Sequence, residues 1–127
     1  MQMSRPGRRS TLWAGVLFAG LILGSGADAG PLHVRQSQPK AAAIIHGRHA
    51  EYVIHFDGLV DHRTSRIDIR QGRRVVQSLP AVVNSAPDVL FAAGETPPPG
   101  QYVLHWEVRS AADGTVSTGD IPFSVAP

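Results

Sequence analysis

The feature that most constrains this chain is strict two-residue alternation. From His49 to Asp57, Ala50, Tyr52, Ile54 and Phe56 alternate with His49, Glu51, His55 and Asp57. From Gln101 to Arg109, Tyr102, Leu104, Trp106 and Val108 alternate with Val103, His105, Glu107 and Arg109. A period of two places one set on a buried sheet face and the other toward water. Downstream of the first 29 residues no segment carries a sustained 3.6-residue apolar stripe, so helical layers are excluded.

Gly and Pro punctuate the alternating runs into short strands. Leu32 to Pro39 reads as a first strand and Ala41 to Gly47 as a small-residue connector. Ser65 to Arg70 and Arg73 to Leu79 read as a hairpin turned at Gln71-Gly72, where Gly accepts the positive φ of a tight turn. Val89 to Ala92 is a short apolar strand. Pro97-Pro98-Pro99-Gly100 is a stiff approach to the strand over 101–109. Asp113-Gly114 turns the chain into a last strand, Gly119 to Val125. Pro122 cannot donate to a ladder, which predicts an edge strand or a bulge there. The predicted fold is all-β: an Ig-like, Greek-key antiparallel β-sandwich of about seven strands. Its core is drawn from Tyr52, Ile54, Phe56, Ile67, Ile69, Leu104, Trp106, Phe123 and Val125.

The beginning of the chain reads differently. Arg5, Arg8 and Arg9 precede an uncharged, mostly apolar stretch from Thr11 to Gly26, followed by Ala27-Asp28-Ala29. Basic head, short apolar run and small-x-small site form a secretory signal. The apolar run is shorter than the roughly 20 residues a spanning helix needs. The expectation is a signal peptide over 1–29, cut after Ala29, and a domain over 30–127. Arg5, Arg8, Arg9 and Asp28 leave with the signal, so the mature domain is near neutral and the basic isoelectric point belongs to the leader. No basic field for nucleic acid remains. The chain has no Cys, so stability comes from apolar burial without disulfides.

The segment Pro97-Pro98-Pro99-Gly100-Gln101-Tyr102, with the alternating run through Trp106 and Val108 to Ser110, resembles the CopC-type copper-resistance domains. So do Asp113-Gly114 with the strand to Val125, Ser37-x-Pro39 in the first strand, Ala50 to Phe56, and the hairpin from Arg66 to Val75. The resemblance covers nearly the whole mature chain and rests on order and spacing. It implies a periplasmic β-sandwich that binds Cu(II) and buffers it, carries it or hands it on to a periplasmic or inner-membrane copper-handling protein. In the family, Cu(II) is held by the N-terminal His with its amine and by an Asp-x-His turn before the last strand. Here Pro31 stands at the first His position, with His33 two residues on, and Asp113-Gly114-Thr115 stands for Asp-x-His. The implied ligands are therefore His33 and Asp113. Imidazole and carboxylate suit Cu(II), and thioether suits Cu(I). The only two Met residues, Met1 and Met3, lie in the leader.

Six His in the mature chain offer further ligands. His46-x-x-His49 is a loop pair that could contribute to a metal site or stand free. His55 and His105 would converge only if their strands were neighbours, and Asp61-His62 reads as a turn cap. Arg63, Arg66, Arg70, Arg73 and Arg74 gather around one hairpin, either as an edge that discourages strand addition or as a docking surface for anionic lipid or a partner. The motifs of nucleophilic, phosphate-binding or zinc-protease catalysis are missing, so no enzyme is expected. Two roles remain: a copper-binding module, or the same sandwich without metal acting as an interaction module for a periplasmic or membrane partner.

Overall fold

The computed structural model describes residues 31–127; the leader over 1–29 lies outside the described residues. Eight strands follow one another: β1 (Val34–Gln38), β2 (Ala43–Ile45), β3 (His49–Phe56), β4 (Arg66–Gln71), β5 (Arg74–Pro80), β6 (Val89–Glu95), β7 (Gly100–Arg109) and β8 (Val116–Val125). A 3-10 turn, His62–Thr64, precedes β4, with Asp61 accepting from the Arg63 amide at its start. No helix among the described residues is long and apolar enough to cross a membrane.

The strands form two sheets, β1-β3-β6 and β2-β8-β7-β4-β5. The pairings are antiparallel except β2 on β8, which is parallel. The chain crosses between sheets after β1, β2, β3, β5 and β6, and stays within one sheet only at the β4–β5 and β7–β8 hairpins. This is the expected all-β sandwich.

The alternating residues pack where the period of two puts them. Tyr52, Ile54 and Phe56 of β3 meet Ile67 and Ile69 of β4, Leu104, Trp106 and Val108 of β7, and Phe123 and Val125 of β8 in one core. Phe56 stands edge-on to Trp106 at a centroid distance of 5.1 Å. Phe123 lies between Tyr52 and Tyr102, at 5.9 Å from each. Burial pushes the Tyr52 hydroxyl up to about 12, with Tyr102 adding to the shift.

Two features depart from the sequence reading. The connector over Ala41–Gly47 contains β2, whose residues pair with Phe123, Ser124 and Val125. The same β2 covers β8 on one side, so β8 is not an edge strand. Pro122 fits because the Ala42 amide donates to its carbonyl at 2.8 Å. A strand residue's N–H and C=O face the same neighbour, so the missing donor of Pro122 faces the β2 side. The β2 ladder begins only at Ala43–Phe123, and no bond to β7 is lost.

Candidate metal-binding end of the sandwich

One end of the sandwich is assembled by loops after β3 and β7. The Asp61 amide donates to the Arg109 carbonyl and the Ala111 amide to the Leu59 carbonyl, each at 2.9 Å. Buried Ser65 ties the same region: its hydroxyl donates to the Asp61 carbonyl and accepts from the Arg109 amide. The Asp113 turn is thereby fixed at this end. Its carboxylate accepts from the Thr115 amide at 3.0 Å, and Gly114 takes the left-handed φ of 77°.

The segment before β1 enters the same end. The Leu32 amide donates to Ser117 Oγ at 3.1 Å, which lays the chain across the start of β8. His33 then meets Asp57, at the end of β3. The His33 amide donates to Asp57 Oδ1 at 2.8 Å, and its ring Nδ1 lies 3.0 Å from Asp57 Oδ2. An ionised carboxylate only accepts, so Nδ1 carries the proton and a neutral ring leaves the Nε2 lone pair available. The His33 side chain is 72% exposed.

The His33 amide is the main cause that holds the Asp57 carboxyl below the usual Asp range, followed by the His33 ring. Asp57 therefore contributes stability above its ordinary pKa, and that contribution disappears as the pH falls through its lowered folded value. In a carbon-detected NMR titration, Asp57 is expected to titrate below the reference of 3.8. His33→Ala should move it only part of the way back, since the backbone donor remains. Full return to the reference value would show that the ring, not the amide, sets the shift.

The sequence-derived candidates separate into two groups. His33 and the Asp113 turn share one end. His46, just before β3, and His49, its first residue, bracket Gly47-Arg48 at the opposite end of that strand. Both are exposed, and His49 lines an open groove with Arg48, Glu95 and Pro97–Pro99. His55 and His105 belong to different sheets and do not converge. His105 pairs instead with Asp120 across β7–β8, Nδ1 to Oδ1 at 2.7 Å. His62 Nε2 donates to the carbonyls of Ala86 and Val89. The sequence reading missed Asp57 as the partner of His33. It recognised Asp57 as an outward residue closing an alternating strand, but the β1–β3 register that brings the two together needs the fold. Among the described residues no group of three or more His, Asp or Glu is arranged to hold a metal ion.

The architecture defines a small two-sheet β-sandwich with a loop-built end carrying one imidazole–carboxylate pair. The CopC domain profile matches residues 34–126, and the chain belongs to the CopC family. The structure is similar to CopC from Methylosinus trichosporium OB3b, with a TM-score of 0.65 and 26% identity over 76% of this chain and 95% of that one. It also resembles an engineered protein, with a TM-score of 0.57 and 16% identity over 87% of this chain and 22% of the other, which speaks to the fold alone. No curated protein sequence matches the chain.

Proposed function

We propose that this protein is exported to the periplasm, loses residues 1–29, and binds Cu(II) as exchangeable cargo at the His33 end, in copper resistance or homeostasis. The observation that carries this reading is the His33–Asp57 pair. A carboxylate that holds the Nδ1 proton orients the ring, makes it a better base and leaves Nε2 toward solvent, as is usual for metal-binding His. Asp113, on the turn at the same end, is the second proposed ligand, and cutting after Ala29 would leave the new amine three residues before His33. Imidazole, carboxylate and amine suit Cu(II). So small a protein donor set fits a site that gives its ion up readily to a periplasmic or inner-membrane copper-handling partner. His46 and His49, at the far end, are a separate and weaker pair in this reading. The role is one of binding rather than catalysis.

Isothermal titration of the exported protein with Cu(II) tests this. The expected result is one-to-one binding that His33→Ala abolishes and that Asp57→Ala weakens by about 10-fold or more, the usual effect of removing the group that orients a ligand. Binding indifferent to His33→Ala would overturn the reading. The sandwich would then stand as a metal-free module that docks a periplasmic or membrane partner.

A further inference from the structure

The domain is near neutral, yet its charge is segregated. Between Arg63 and Val83 five Arg face one carboxylate, Asp68, a net of +4. Over the rest of residues 31–127 four cations face eight carboxylates, a net of −4 with neutral His. The positive half is the β4–β5 hairpin with the turn before it, at one edge of the five-stranded sheet.

The Arg side chains on this edge are presented rather than consumed. Arg63, Arg66, Arg73 and Arg74 are exposed. Arg66 meets Asp68 at 3.8 Å, and Arg74 reaches the Gln71 side-chain oxygen at 3.3 Å. Arg63 and Arg66 line an open groove of about 410 Å³ together with Thr64 and Ser78. Guanidinium groups beside hydroxyls are the donors that phosphate oxygens take. Exposed apolar residues lie on the same edge: Val75 in β5 at 44%, and Val82 and Val83 beyond it at 39% and 52%.

We propose that this edge is a docking surface for an anionic lipid bilayer, with the Arg side chains on headgroup phosphates and the exposed Val residues at the interface. A basic surface alone would suit any acidic partner. Apolar side chains beside the basic ones add the second component of interfacial binding, and the opposite charge on the rest of the domain orients it with that half away from the lipid. An Arg-rich edge also discourages strand addition, and the two roles are compatible.

The test is sedimentation with vesicles of phosphatidylcholine, with and without about 30 mol% phosphatidylglycerol. The exported protein is used throughout, as in the copper titration, so that Arg5, Arg8, Arg9 and the apolar stretch behind them add no affinity of their own for the vesicles. Anionic vesicles are expected to bind wild type more tightly than neutral ones, less so as salt rises from about 50 to about 300 mM. Each basic residue near an anionic surface contributes roughly a five-fold factor. The variant with Arg63, Arg66, Arg73 and Arg74 all changed to Gln should therefore lose at least about 20-fold. The pair Arg73→Gln and Arg74→Gln, at the turn and away from the core, should lose at least about five-fold. Equal binding of wild type and both variants would overturn the proposal. So would capture of a poly-glutamate peptide without any preference for anionic vesicles, which would assign the edge to an acidic protein partner.

Discussion

Trp106→Ala is expected to lower the unfolding free energy by about 3–5 kcal/mol, the usual cost of truncating a buried Trp or Phe. The ring is 6% exposed, stands edge-on to Phe56 across the two sheets, and sits beside Ile67 of β4 within its own sheet. It thus fills volume that three strands share, and no nearby side chain can swing into the gap without leaving its own site. A domain of this size has about 5–15 kcal/mol in all, and this one has no Cys to cross-link it. The variant should unfold near the lower limit of what equilibrium methods can follow. Far-UV circular dichroism in urea is the suitable measurement, since the substitution removes the only Trp downstream of residue 29. A lowered midpoint with unchanged slope would place the effect in the native core. A loss under about 1 kcal/mol would mean that the ring does not fill the core as described.

The same residue shows why the sandwich is legible in the sequence. Tyr52, Ile54 and Phe56 on one strand, and Tyr102, Leu104, Trp106 and Val108 on another, recur at a period that only a half-buried strand satisfies. A one-residue slip in either would expose the whole set. What escaped was pairing between distant segments. Ala43–Ile45 has little alternation of its own and becomes a strand only because β8 offers it an edge. Pro122 looked like an edge marker, since sequence shows that a donor is missing but not which neighbour it would have faced. The candidate site divided in the same way. His33 and Asp113 were named through family resemblance, and the fold places them at one end. The link between His33 and Asp57 spans 24 residues and depends on the β1–β3 register, which has an irregularity between Val34 and Gln36. No local spacing encodes such a contact. His46 and His49 looked paired because they are close in sequence, yet Gly47 takes a left-handed φ of 92° between them and the two stand at the far end from His33.

Gly119 gives the second large effect, and its sign depends on Trp106. Gly119 of β8 lies directly opposite Trp106 of β7, and a Cβ at this position would collide with the ring carbon Cζ2 and come within 2.7 Å of Cε2. The ring cannot yield cheaply, because Phe56 holds it from the other sheet. Gly119→Ala is therefore expected to cost about 1–3 kcal/mol through overpacking. Gly119 does not have the left-handed φ that would itself penalise a side chain, so the cost should come from the contact alone. Once Trp106→Ala removes the ring, the same Gly119→Ala change should be neutral or should stabilise by about 0.4–1 kcal/mol, because Ala restricts the unfolded chain more than Gly does. Urea denaturation of the two single variants and the double variant closes the cycle. A coupling energy of about 1 kcal/mol or more is expected, which is large for two neutral side chains and typical only of groups in direct contact. Additive behaviour would mean that Gly119 is present for a reason other than the indole above it, and the placement of the Trp106 ring over β8 would have to be redrawn.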